Sequence, residues 1–255
     1  MQATVAEFIG TAILILLGNG VVANVLLAKT KGFNSGWVVI TFGWGMGVFV
    51  AVLCVSEYSG AHINPAVTVA MLAAGKITAL TAISYITAQM LGALVGASLV
   101  YLFYRDHYVA TDDADAKLAT FATGPNIRNL PRNFLSEAIG TFVLIFAVLM
   151  MSNSEPFIEF DSGSALLTKS SKFGLGAVGA LPVGLVVFAI GLSLGGTTGY
   201  AINPARDLGP RIAHALLPIP GKRDSDWGYA WVPIVGPIVG GLLAVLCFNL
   251  FLQLT

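Results

Sequence analysis

The chain has 255 residues, of which 56% are hydrophobic and only 10% are charged. Since an average soluble domain carries about 25% charged residues, this composition excludes an ordinary soluble fold and indicates a membrane protein. The 13 basic and 13 acidic side chains cancel, and the sequence has no basic tail that would favour nucleic-acid binding.

Apolar stretches long enough to cross a membrane occur in six places. A transmembrane helix needs roughly 20 predominantly apolar residues. The first stretch is predicted to be a retained helix rather than a signal peptide, because it is too long and lacks a basic start, the first lysine being Lys29. The predicted spans are 5–28, 37–57, 80–104, 133–153, 175–195 and 229–253.

The first three spans resemble the last three. VAEFIGTAILIL at 5–16 matches LSEAIGTFVLIF at 135–146, which places Glu7 opposite Glu137. AQMLGALVGASLV at 88–100 likewise matches VPIVGPIVGGLLA at 232–244. Three spans per half place the halves in opposite orientations, so we predict an inverted repeat. One transmembrane domain, 1–255, would comprise repeat one at 1–104, a connecting loop at 105–132 and repeat two at 133–255.

Each half contains the tripeptide Asn-Pro-Ala after its second span. It stands in SGAHINPAVTVA at 59–70 and in TGYAINPARDLG at 198–209. Asparagine favours the position before a helix and proline its first turn, so both segments are predicted to start helices. The apolar runs that follow are too short to span a membrane, which favours re-entrant half-helices. The tripeptides are Asn64, Pro65 and Ala66, and Asn203, Pro204 and Ala205.

The inverted repeat would bring the two half-helices in from opposite faces, so that their N-termini meet. Each terminus carries about half a positive elementary charge, which repels cations and protons. The amides of Asn64 and Asn203 could donate hydrogen bonds to a solute, and extended segments before them could offer carbonyl acceptors. These carbonyls are expected from Gly60, Ala61 and His62, and from Gly199, Tyr200 and Ala201. The arrangement suits a small neutral hydroxylic solute.

These motifs resemble the aquaporin family, also called the major intrinsic proteins, over nearly the whole chain. The resemblance is to its glycerol-facilitator branch. It implies an all-α membrane protein with six transmembrane helices and two re-entrant half-helices. It also implies a selectivity filter in which Arg206 donates to solute hydroxyls and Gly191 widens the pore where water-selective members carry histidine. Trp44 and Tyr200 would form an apolar corner of this filter. At the position of Tyr200, glycerol facilitators commonly carry phenylalanine, so the tyrosine is a departure from the family pattern.

The resemblance further implies supporting residues behind the pore. Asp207 and Arg211 match the glycerol branch and are expected to pair, because they are four residues apart on one half-helix. Glu7 and Glu137 match buried glutamates that brace the re-entrant loops. A local alternative for Glu7 is a capping box with Thr4 at the helix start.

The implied function is passive conduction of glycerol and water, with urea, dihydroxyacetone and small undissociated acids as further candidate solutes. Alternatives are a water-selective aquaporin and a secondary transporter, which would need an intramembrane ion site. An enzyme is not indicated, because the sequence shows no catalytic constellation or metal-ligand spacing, and no cofactor is expected. Cys54 and Cys247 are expected to be small buried hydrophobes.

A homotetramer in the plasma membrane with cytoplasmic termini is implied as well. The distribution of basic residues opposes that orientation, since three would lie in inner loops against eight in outer loops. We keep the implied orientation because Arg206 and the longer second-half loop match the family's outer vestibule. The inner residues are Lys76, Lys169 and Lys172; the outer ones are Lys29, Lys31, Arg105, Lys117, Arg128, Arg132, Lys222 and Arg223.

Overall fold

A computed structural model describes residues 2–153 and 176–254 of the chain. Six helices in this part are long and apolar enough to cross a membrane, as the sequence predicts. Lys169, Lys172 and the predicted start of the fifth span at 175 lie outside the described residues. Five of the six helices are α1 (Ala3–Leu26), α2 (Trp37–Ser59), α4 (Ala79–Phe103), α7 (Leu130–Asn153) and α10 (Val232–Leu254). The remaining span, Val178–Thr197, consists of α8 (Leu181–Leu194) and 3₁₀ turns at its two ends.

Two shorter helices begin at the Asn-Pro-Ala motifs. Helix α3 runs over Pro65–Ala73 and α9 over Pro204–Leu216, and each starts with proline at a position where no backbone N–H is required. Helices α5 (Arg105–Ala110) and α6 (Ala114–Ala119) lie in the segment 105–132, for which the sequence predicted a connecting loop. Helix α8 is preceded by a 3₁₀ turn, Gly176–Ala180, and so begins later than its predicted span.

The two halves of the chain pack into each other. Half-helix α3 contacts α10 of the second half, and α9 contacts α4 of the first. Helices α2 and α8 cross at two equivalent glycines: a β-carbon on Gly45 would lie 2.8 Å from the Gly184 carbonyl oxygen, and one on Gly184 would lie 2.6 Å from that of Gly45. Each helix therefore needs glycine here for the two backbones to approach.

The outward faces of the long helices carry many exposed apolar side chains, as expected for surfaces that contact lipid. Both cysteines lie on such faces, so the prediction that Cys54 and Cys247 are buried is wrong. A hydrophobic side chain on a membrane helix gains as much from facing lipid as from packing inside the protein. The apolar neighbours of a cysteine therefore did not reveal which way it points.

Candidate functional site

The N-termini of the two half-helices meet and are joined by reciprocal hydrogen bonds. The Asn64 side-chain oxygen accepts from its own helix, from the Ala66 N–H at 2.9 Å, while its amide nitrogen donates to the Ile202 carbonyl at 2.8 Å. Asn203 accepts from the Ala205 N–H at 3.0 Å and donates to the Ile63 carbonyl at 2.9 Å. Because each amide has two N–H groups, each asparagine keeps a second donor.

The sequence predicted extended segments before the half-helices, but the structure shows a different backbone. Three residues in each segment have left-handed backbone conformations, at equivalent positions. Non-glycine residues adopt such angles rarely and at a cost of about 1–3 kcal/mol each, so the surrounding structure must hold them. The φ angles are 79° at Gly60, 51° at Ala61 and 43° at Ile63, and 84° at Gly199, 38° at Tyr200 and 44° at Ile202.

A fully buried carboxylate from α1 holds the first of these segments. Glu7 accepts from the backbone N–H groups of His62 at 2.9 Å and Ile63 at 2.6 Å. It also accepts from the Ser59 hydroxyl at 2.6 Å and from the Gln89 amide at 2.7 Å. Charge-assisted bonds of this kind are about twice as strong as neutral ones, so they can fix a strained backbone.

The capping box proposed locally for Glu7 is wrong. Helix α1 begins at Ala3, and its N-cap, Gln2, makes no side-chain capping bond. Thr4 therefore already lies in the first turn, where its hydroxyl donates to Ser84 Oγ on α4 at 3.5 Å. Glu7 points toward the re-entrant loop instead.

Glu137, on α7, holds the second segment in the same way. It accepts from the Ala201 N–H at 3.0 Å, the Ile202 N–H at 2.8 Å and the Thr198 hydroxyl at 2.6 Å. Like Glu7 it is fully buried. The two carboxylates thus share three equivalent contacts, two with backbone N–H groups and one with a hydroxyl, and Glu7 has a fourth with Gln89.

Three side chains of the expected filter are buried and carry polar atoms without hydrogen-bond partners among the described residues. The Arg206 guanidinium carbon lies 4.0 Å from the centre of the Trp44 ring, a cation–π contact. The unpartnered atoms are Arg206 Nη1, Trp44 Nε1 and Tyr200 Oη. A buried polar atom without a partner is costly, which marks this cluster as a place where a polar ligand would be stabilised.

The fourth filter position, Gly191, lies against Tyr200 rather than beside empty space. A β-carbon on Gly191 would lie 2.8 Å from Tyr200 Cζ and 2.8 Å from Thr41 Cγ2. The space that a side chain at position 191 would enter is therefore occupied by the Tyr200 ring and by Thr41. Sequence reasoning missed this, because Thr41 and the ring reach Gly191 from distant parts of the chain.

Behind Arg206 the expected ion pair is present and forms part of a larger network. Arg211 Nε donates to Asp207 at 2.8 Å, and both side chains are fully buried. The Thr123 backbone N–H and hydroxyl donate to the other Asp207 oxygen at 2.7 and 2.6 Å, while its carbonyl accepts from Arg211 Nη2 at 2.9 Å. Thr123 had no sequence signal, since it belongs to the connecting loop, 84 residues before Asp207.

The loop that follows α9 is fastened to the same network. Arg211 Nη1 donates to the Ser225 carbonyl at 2.7 Å and the Asp226 carbonyl at 3.1 Å. Lys222 donates to three carbonyls at the end of α9, which is where a helix favours a cation. In this loop the hydrogen bond from the Asp226 N–H holds the pKa of the Asp224 carboxyl below its ordinary value.

A cavity of about 290 Å³ lies on one side of the meeting half-helices. Asn64 and Asn203 both line it, and so do Gly60, Ala61 and His62, the carbonyl segment expected from the first half. Gly199, Tyr200 and Ala201 are not among the described residues that line it. Most of the remaining wall is apolar, including Val67, Leu144, Val148, Val183 and Val187.

Comparisons with known proteins agree with this geometry. The "Major intrinsic protein" family model matches residues 1–248. A Thermotoga maritima protein named "Probable glycerol uptake facilitator protein" is 54% identical over 98% of this chain and 99% of its own length. The "Glycerol uptake facilitator protein" of Streptococcus pneumoniae is 49% identical over 98% of this chain and all of its own length.

Among solved structures, the chain is similar to the aquaglyceroporin of Plasmodium falciparum. The two share 31% sequence identity and superpose with a TM-score of 0.80 over 96% of this chain and 94% of that one. The apolar helices, the paired re-entrant segments and these likenesses lead to one conclusion: the chain is a multi-pass membrane protein that belongs to the major intrinsic protein family.

Proposed function

We propose that the chain forms a passive channel that conducts glycerol and related small neutral solutes, together with water, and excludes ions and protons. The observation that carries the proposal is the meeting of two half-helix N-termini, where Asn64 and Asn203 each bond to the opposite loop. The names of the similar bacterial proteins support glycerol as the solute. Movement down a gradient needs no catalytic group and no cofactor.

Exclusion of ions follows from the charges around the path. Two helix N-termini face each other, and each presents about half a positive charge. Arg206 adds a full charge that is held close by the Trp44 ring. A cation would have to shed its water beside two partial positive charges and one full positive charge, whereas a neutral solute can replace its water by the asparagine and arginine donors.

The filter chemistry supports a polyol. The Arg206 and Trp44 nitrogens can donate to solute hydroxyls, and the aromatic faces of Trp44 and Tyr200 can contact the carbon chain. Urea, dihydroxyacetone and small undissociated acids share the small size and neutral charge of glycerol, so they belong to the proposed solute range. The same reasoning admits water, which is smaller.

The buried acids of the membrane core weigh against the secondary-transporter alternative. A coupling-ion site needs carboxylates that can bind and release a cation or proton. Glu7 and Glu137 are occupied by backbone and side-chain donors of the re-entrant segments, and Asp207 is occupied by Arg211 and Thr123. These acids therefore stabilise the loops and are not available to bind a coupling ion.

The proposal includes a homotetramer in the plasma membrane with both termini in the cytoplasm. These features are supported by the family to which the chain belongs.

Stopped-flow light scattering on proteoliposomes tests the proposal. Vesicles with the protein should swell rapidly in a glycerol gradient and shrink rapidly in an impermeant osmolyte, and empty vesicles should do both slowly. Fast shrinkage without glycerol-driven swelling would instead establish the water-selective alternative. A flux that depends on an ion gradient would contradict a passive channel.

A further inference from the structure

The Tyr200 ring is closely packed on several sides. A β-carbon on Gly195 would lie 2.5 Å from Tyr200 Cδ1, and one on Gly191 would lie 2.8 Å from Cζ, so two glycines form a socket for the ring. The Trp37 ring packs edge-on against it, with centroids 5.8 Å apart. Trp37 is itself held by a 3.0 Å hydrogen bond from Nε1 to the Gly191 carbonyl.

The backbone that carries Tyr200 is strained and braced. Its φ of 38° is unfavourable for a bulky aromatic residue, and such strain persists only where surrounding contacts over-determine the conformation. Glu137 supplies those contacts, since it accepts the N–H groups of the next two residues, Ala201 and Ile202. The ring and the backbone together place the hydroxyl at a fixed position beside Gly191.

The hydroxyl has no hydrogen-bond partner among the described residues, although the side chain is only 5% exposed. Phenylalanine would fill the same socket without this cost, because the packing contacts are made by the ring. A buried hydroxyl without a partner costs about 1–3 kcal/mol. A solute that bonds to this oxygen in passing would remove that cost.

Tyr200 also differs chemically from the other unpartnered filter groups. The nitrogens of Trp44 and Arg206 can only donate hydrogen bonds, whereas a tyrosine hydroxyl can also accept one. The Gly191 carbonyl is already occupied by Trp37. A solute hydroxyl that accepts from Arg206 still has its own proton to donate, and Tyr200 Oη is the filter side-chain atom that can accept it.

We propose that the Tyr200 hydroxyl is a hydrogen-bond acceptor for passing solutes and selects polyols over analogues of the same length that have fewer hydroxyls. This inference rests on the proposed channel function and deepens it by assigning a specificity group. It differs from a purely steric role, in which the oxygen only narrows the path. The two roles predict opposite effects when the oxygen is removed.

The test compares Tyr200→Phe with wild type in proteoliposomes, with glycerol and propane-1,3-diol as solutes and empty vesicles as baseline. The acceptor role predicts that channel-mediated glycerol permeability falls about three- to tenfold, since loss of one hydrogen bond raises the barrier by about 0.6–1.4 kcal/mol. The permeability to propane-1,3-diol, which lacks the central hydroxyl, should fall by a smaller factor. Water permeability should stay at or above the wild-type value, which also shows that the variant is folded.

Tyr58→Phe is the matched control, because Tyr58 is exposed at the end of α2 and its hydroxyl lies outside the filter. It should leave all three permeabilities unchanged. A rise of glycerol and propane-1,3-diol permeability together in Tyr200→Phe would overturn the acceptor role in favour of a steric one. A ratio of glycerol to propane-1,3-diol permeability that is the same in Tyr200→Phe and wild type would also overturn the acceptor role. A wild-type protein that conducts no glycerol would overturn the channel proposal itself, a result distinguishable from these.

Discussion

The two re-entrant segments, 60–73 and 199–216, have nearly the same backbone but very different surroundings. Each has three left-handed residues at equivalent positions, a buried glutamate that accepts two successive backbone N–H groups, and an asparagine that bonds across to the other segment. Beyond this common core, α3 carries no charged side chain, whereas α9 carries Arg206, Asp207 and Arg211.

Under the proposed function, this difference separates the parts of the repeat that would form the pore from the parts that would set its selectivity. The shared contacts set the meeting point of the half-helices, and a pseudo-two-fold arrangement needs them in both halves. The charged network occurs once, next to the filter, and ties the connecting loop to α9 through Thr123. The contacts that hold the re-entrant segments are thus common to both halves, while the charged network belongs to the second half.

The largest expected effect comes from making α9 resemble α3. Thr68 and Leu72 occupy the positions equivalent to Asp207 and Arg211. Asp207→Thr alone leaves the buried Arg211 charge unpaired, and breaking such a pair costs about 3–5 kcal/mol. We expect a large fall in the melting temperature of the purified protein, measured by tryptophan fluorescence.

The double variant Asp207→Thr with Arg211→Leu should recover much of that loss, because it removes the unpaired charge along with its partner. A double variant less stable than the single one would contradict the view that these two residues act as a pair.

The two glutamates allow the next comparison. Glu7→Gln and Glu137→Gln each replace an acceptor oxygen by an amide that faces backbone donors, at a cost of about 1–3 kcal/mol for each donor left unsatisfied. Glu137 holds the residues that follow Tyr200, so its variant should change the ratio of glycerol to water permeability. Glu7→Gln should lower both permeabilities together, and an equal ratio change in both variants would remove the distinction between the halves.

Filling the space at Gly191 tests the tyrosine socket. Gly191→Ala places a β-carbon within 2.8 Å of Tyr200 Cζ and Thr41 Cγ2, so the ring must move. Overpacking of this kind costs about 1–3 kcal/mol, and we expect lower glycerol permeability together with a lower melting temperature. Gly196→Ala is the control, since a β-carbon there meets no atom within 4 Å. Unchanged glycerol flux in Gly191→Ala would show that the ring does not depend on this glycine.

The smallest effect is expected at Thr123. Thr123→Val keeps the shape and the backbone bonds but removes the 2.6 Å hydroxyl bond to Asp207. A hydrogen bond to a charged group contributes about 1.5–3 kcal/mol, less here because the Thr123 N–H still donates to the same oxygen. We expect a melting temperature a few degrees lower, with Thr87→Val on the exposed face of α4 as control. A loss as large as that of Asp207→Thr would contradict this ranking.

Much of the fold could be predicted from the sequence, because membrane spans and helix starts are local signals. Six apolar stretches predicted six helices, and Asn-Pro followed by a short apolar run predicted each half-helix. The equivalence of Glu7 and Glu137 was visible because the repeat aligns them. The local spacing of Thr4 and Glu7 also allowed a capping box, which the structure excludes.

The remaining features depend on contacts between distant segments, which have no local signal. Thr123 lies in a polar loop and contacts Asp207 only after both halves have folded together. The contact of Tyr200 with Gly191 likewise requires α8 and the second re-entrant segment in place. The left-handed angles at Ala61, Ile63, Tyr200 and Ile202 occur at residue types that rarely adopt them, so composition argued against them.

The central claim is that one path between the meeting half-helices carries both glycerol and water. Val187 lines the cavity that Asn64 and Asn203 share, and the native cysteines lie on exposed helix faces. We would introduce Val187→Cys into a Cys54→Ser, Cys247→Ser background and add a membrane-permeant mercurial during stopped-flow measurements. The account predicts that the reagent blocks glycerol and water permeability together in this variant and neither in the background. Block of one flux without the other, or of neither, would contradict a single shared path.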